Sequence, residues 1–237
     1  MVPSDPSNIA SLFDLLRERR IISVSGESST GKTTLALQLI ASALSCEDVT
    51  DERCVWIQAS EQFPKKRLLT FFKSSPDKFD MLLKKIFLYP VMSPFLNYED
   101  QSAFLSSLED TILPFNTKYL VIDNISHHLR LAASNCYNIG QKSVLLDKFF
   151  SSQLFPIIMR CLREKIFLIL IHEVSFDPGL GKNQPFFNKL YSRIDSINIS
   201  LSRSFNSKNK QMELISRDNK IRSKLKYKIL EKGISLI

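Results

Sequence analysis

The eight residues Gly26-Glu27-Ser28-Ser29-Thr30-Gly31-Lys32-Thr33 constrain this chain more than any other stretch. Before them, Ile21-Ile22-Ser23-Val24-Ser25 reads as a short buried strand. After them, Thr33 to Leu44 is apolar at helical spacing, with Leu35, Leu39, Ile40 and Ala43 on one face. A GxxxxGK[ST] run that closes a strand and opens a helix builds a phosphate cradle. Its glycines let the backbone curl so that successive N–H groups face phosphate oxygens. The helix that starts there adds a dipole favouring negative charge. Lys32 brings a cation to the β- and γ-phosphates, and the Thr33 hydroxyl suits Mg2+. The expected ligands are ATP and Mg2+, with Gly26, Glu27, Ser28, Ser29, Thr30, Gly31, Lys32, Thr33 and Thr34 forming the cradle.

Such a cradle needs a carboxylate at the end of a neighbouring buried strand to complete the metal site. Asp123, at the tip of Tyr119-Leu120-Val121-Ile122, fits that place, and the other reading is an ordinary strand-end Asp in a turn. Hydrolysis further needs a group that orients or activates water. Glu61, after the strand Cys54–Ile57, and Glu173, after the strand Ile166–Ile171, are both candidates. Spacing does not choose between them, and either also reads as a solvated loop glutamate.

The remaining pattern alternates strands and helices. Lys65–Lys73 and Asp77–Lys85 read as helices, Ile86–Tyr89 as a strand, and Glu99–Leu113 as a helix closed by Pro114. Ser143–Glu164 reads as helical, with Pro156 expected to kink or split it. Phe176–Ser192 reads as a long surface loop, followed by short strands over Ser196–Ser202, Gln211–Ser216 and Leu225–Ile237. The expected fold class is α/β, a mostly parallel twisted sheet with helices on both faces and antiparallel C-terminal strands. At 237 residues the chain suits one such domain.

No apolar run reaches the length of a membrane span, and the N-terminus lacks the basic start and apolar core of a secretory signal. A soluble intracellular protein with no membrane partner is expected. Cys46, Cys54, Cys136 and Cys161 form no CxxC pair and read as small buried or half-buried residues. The net charge of +8, concentrated over Lys208–Lys232, favours polyanionic partners, nucleic acid first, although such a run also reads as a solvated face.

Further segments carry a resemblance. GESSTGKTTLALQL looks like the P-loop of RecA and its eukaryotic relatives. The stretch Val55 to Leu68, with Glu61-Gln62-Phe63-Pro64-Lys65-Lys66-Arg67-Leu68, resembles the segment after the second core strand of recombinase paralogues. Leu120-Val121-Ile122-Asp123-Asn124-Ile125-Ser126-His127-His128-Leu129-Arg130 is similar to the Walker B segment of the fungal Rad-fifty-seven type, of which animal XRCC-three has a looser version. Tyr227-Lys228-Ile229 with Gly233-Ile234 resembles the family's closing strands. The pair His127-His128 serves as a family marker and reads otherwise as surface or helix-cap histidines.

The resemblance implies a RecA-like P-loop NTPase core over residues 19–237 behind an N-terminal lead segment over 1–18, without the family's N-terminal helical DNA-binding domain. It implies a nuclear recombination mediator in double-strand break repair by homologous recombination. Its partners would be a second recombinase paralogue in a heterodimer, the main recombinase and single-stranded DNA. Arg67 matches the arginine that packs on adenine in related recombinases, and otherwise reads as a surface helix residue. Two departures weaken hydrolysis to at most a weak DNA-dependent ATPase. Ser60 stands at the family's catalytic Glu position, with Glu61 one residue late, and His172-Glu173 replaces the family's Asn-Gln. The alternatives are a RecA-type NTPase of the signalling or clock kind without a DNA role, and a catalytically weakened structural subunit.

Overall fold

The computed structural model describes residues 20–45, 51–179, 181–203, 209–215 and 221–237. The lead segment 1–18, Cys46 and parts of the basic run, 208 and 216–220, lie outside the described residues. Strands β1 (Ile21–Gly26), β2 (Arg53–Gln58), β3 (Ile86–Tyr89), β4 (Thr117–Asp123) and β5 (Phe167–His172) pair in parallel. Strand β8 (Ile197–Arg203) joins β1 in parallel, and β9 (Lys210–Ile215), β10 (Ile221–Leu230) and β11 (Gly233–Leu236) extend the sheet antiparallel. The nine-stranded order is β11-β10-β9-β8-β1-β5-β4-β2-β3.

The period-two alternation of strand side chains divides the core into two apolar layers. Trp56, Tyr119, Val121, Ile169 and Ile171 join the layer under helix α1 (Lys32–Leu44). Val55, Ile57, Leu120, Ile122, Leu168 and Leu170 face the other layer. That second layer is covered by α4 (Tyr98–Ser107), α5 (His127–Ser134), α6 (Ile139–Phe149) and α7 (Phe155–Arg163), while α2 (Lys65–Phe71) and α3 (Pro76–Lys84) pack on the first. The central strands are therefore apolar on both faces, as a covered parallel sheet requires. Among the described residues no helix is long and apolar enough to cross a membrane.

Several elements differ from expectation for local reasons. The helix expected over Glu99–Leu113 stops at Ser107, because Arg160 donates to the carbonyls of Leu108 and Thr111 and so satisfies the chain end in place of a further turn. Its start is set by Asn97, whose side chain accepts from the Asp100 N–H at 2.8 Å. The helix expected over Ser143–Glu164 begins earlier, at Ile139, where Asn138 caps it, and divides at a π-turn over Phe150–Leu154. Pro156 follows in the first turn of α7, where its missing N–H is tolerated. The loop expected over Phe176–Ser192 is instead a hairpin of β6 (Val174–Asp177) and β7 (Lys182–Pro185), followed by the short helix α8 (Asn188–Tyr191). The Asp177 side chain accepts from the Gly179 N–H at 2.9 Å and closes the turn, a local device that apolar periodicity does not reveal. The strand expected over Leu225–Ile237 is two strands, reversed before Gly233, whose φ is 111°.

Candidate nucleotide-binding site

The carboxyl ends of β1, β2, β4 and β5 converge on a cleft of about 540 Å3. Ligands in open α/β sheets gather at such an edge. Gly26 ends β1 with no room for a side chain: a Cβ there would meet the Leu201 carbonyl at 2.5 Å and the Thr30 hydroxyl at 2.7 Å. Gly31 precedes α1 with φ 95°, and a Cβ would press Ile229 at 2.9 Å. Both motif glycines are thus required by close approach or by left-handed backbone. From behind, the buried Tyr227 hydroxyl donates to the Thr30 carbonyl at 2.7 Å. Gln38 of α1 bridges to β11, donating to the Ile234 carbonyl and accepting from its N–H.

Lys32 Nζ donates to the carbonyls of Gly26 at 2.9 Å and Glu27 at 3.0 Å. Burial lowers its pKa, opposed by the carboxylates of Asp123, Glu173, Glu61 and Glu27. The Thr33 hydroxyl donates to Asp123 Oδ2 at 2.9 Å. Burial pushes the Asp123 carboxyl up to about 7, with the Thr33 hydrogen bond and Lys32 pulling down and Glu61 adding to the rise. A buried carboxylate held against its own charge is stabilised by a divalent cation. The Thr33 and Asp123 oxygens fit Mg2+, which takes one or two protein ligands and completes its shell with phosphate and water.

The two glutamates are distinct. Glu61 is exposed, lines the cleft and carries no ion pair among the described residues. Glu173 lines the cleft between two basic side chains of α5: His127 Nδ1 lies 2.8 Å from Oε1, and Arg130 Nε lies 3.2 Å from Oε2. Arg67 is not among the residues lining this cleft; its guanidinium donates to the Leu230 carbonyl at 3.3 Å near the β10–β11 turn. His128 is buried, not a surface residue. Its Nε2 lies within 3.1 Å of the Ala59 and Phe95 carbonyls and ties α5 to the loops after β2 and β3.

The KaiC ATPase family profile matches residues 10–139, more than half of the chain. The chain belongs to the KaiC family of ATPases. The matched span of this KaiC-family chain holds the P-loop, Asp123 and α5, and ends before β5 and the hairpin. The crystal structure of the RadB recombinase is similar in fold, with a TM-score of 0.67, 22% identity, and coverage of 90% of this chain and 89% of that one. This bears out a RecA-like core with antiparallel C-terminal strands. No curated protein sequence matches the chain.

The sequence reading missed several groups around this site. Arg130 sits one helical turn after His127, so both reach Glu173, a spacing that would have flagged them once the helix was recognised. Asn183 of β7 donates to Glu27 at 2.6 Å, and Arg203 at the end of β8 donates to the Ser28 carbonyl and lies 3.7 Å from Glu27. No local signal in the sequence joins those distant positions to the P-loop.

Proposed function

We propose that this chain is an ATP-binding recombination mediator, a recombinase paralogue that assists filament assembly on single-stranded DNA during double-strand break repair in the nucleus. It would act in a heterodimer with a second paralogue and engage the main recombinase. The observation that carries this reading is a cation–aromatic surface joined to the phosphate cleft. Arg130, which lines the cleft, lies 5.5 Å from the Phe186 ring centre. Phe187 packs edge-on against Phe186 at 4.8 Å and carries Lys142 at 5.6 Å, and Phe176 projects outward from β6. Aromatic faces interleaved with cations are the chemistry of single-strand binding. The RecA-like fold shared with a recombinase supports the same reading.

In this reading Lys32 and the P-loop amides bind the phosphates, and Thr33 with Asp123 would hold Mg2+, which neutralises phosphate charge when bound. Glu61, which carries no ion pair among the described residues, would orient water, while Glu173 is engaged by His127 and Arg130. Titration of a labelled oligo-dT with the full chain and Mg·ATP tests the DNA role. Binding should weaken steeply as salt rises and fall in F176A and F186A. Absent or salt-insensitive binding contradicts it. The KaiC-family match favours a second reading, an NTPase without a DNA role. ATP binding with no oligonucleotide binding selects that one.

A further inference from the structure

We propose that Arg130 senses the terminal phosphate, exchanging Glu173 for a triphosphate and thereby reporting it to the β6–β7 hairpin. This rests on the reading of the cleft as an ATP site. Among the described residues lining the cleft are four carboxylates, Glu27, Glu61, Asp123 and Glu173, but only two cations, Lys32 and Arg130. Lys32 belongs to the P-loop and serves any nucleotide that reaches the cradle. Arg130 stands on the opposite wall, half-exposed, with its charge set against Glu173 at 3.2 Å.

A phosphate carries more charge than a carboxylate and presents a matching face to a guanidinium, so it competes for Arg130. Glu173 keeps His127 Nδ1, 2.8 Å from its other oxygen, as a partner when Arg130 leaves Oε2. The guanidinium also lies over Phe186, which directly follows β7 and whose N–H donates to the Glu173 carbonyl at 2.8 Å. Moving Arg130 toward the nucleotide therefore removes a cation from the base of the hairpin. A diphosphate lacks the terminal group that draws Arg130 across.

Calorimetry on the full chain with Mg2+ and either ADP or a non-hydrolysable ATP analogue tests this. The variant R130A should bind the triphosphate about 10-fold more weakly while ADP affinity stays within about 2-fold. E173Q, which frees Arg130, should move triphosphate affinity the opposite way, about 3-fold tighter, a direction that mere structural damage does not produce. In the wild type, hydrogen exchange of Val174–Pro185 should change with the triphosphate and not with ADP, and R130A should lose that difference. The proposal is overturned if R130A leaves the triphosphate-to-ADP ratio unchanged, or if E173Q weakens both nucleotides together. Should the wild type bind neither nucleotide, or K32A bind both normally, the ATP reading itself fails, which is a different pattern.

Discussion

The P-loop wall of the cleft is anchored from behind by buried groups, whereas the facing wall is held by charges between half-exposed side chains. On the first wall Tyr227 and Asp123 are at most 1% exposed, and Gln38 pins α1 to β11 through two hydrogen bonds. On the second, the side chains of His127, Glu173 and Arg130 are 33%, 24% and 40% exposed. Buried hydrogen bonds are costly to break because the abandoned partner is left unsatisfied. A half-exposed ion pair opens more easily than a buried hydrogen bond, because solvent takes up the cation that leaves. The contrast suits a rigid surface that holds phosphates and a facing surface that responds to them.

Substitutions can sharpen that contrast, and the buried wall should give the largest effects. The Asp123 carboxyl, raised to about 7 in the fold, keeps a proton that the unfolded chain releases near its ordinary value of 3.8. The metal-free protein should therefore lose stability as pH rises from about 4 to about 7, by up to about 1.4 kcal/mol per pH unit. Denaturant midpoints across that window should flatten in D123N. Next in size, G31A forces a Cβ into left-handed backbone and against Ile229, so it should cost about 2 kcal/mol in the same assay and weaken ATP binding.

Y227F leaves the Thr30 carbonyl without its donor and should cost about 1 kcal/mol, read as a lower thermal midpoint. The smallest effect belongs to the outer lip. N183A removes the exposed bond to Glu27 and should change stability by less than about 0.5 kcal/mol. A loss in N183A as large as in Y227F would erase the distinction between the walls.

The same contrast explains what could be read in advance. The P-loop is contiguous in sequence, and its backbone demands appear as Gly26 and Gly31. Asp123 was legible because a central strand needs a continuous apolar run and then a polar end. The facing wall is assembled from α5, the end of β5 and the hairpin, which meet only after folding. Glu173 was therefore visible as a candidate, but not its engagement by His127 and Arg130. Within the fold, the hairpin was hidden because β6 is half-exposed and its turn is set by Asp177, leaving little apolar periodicity to read. The end of α4 was hidden because Arg160, more than fifty positions from Leu108, decides it.

Calorimetric titration of the full chain and of K32A with Mg·ATP tests the nucleotide site directly. Lys32 is the cation of the P-loop, so the wild type should bind and K32A should bind roughly 100-fold more weakly, about 3 kcal/mol. Equal affinity in the two proteins, with both folded, would contradict the assignment of this cleft as the nucleotide site.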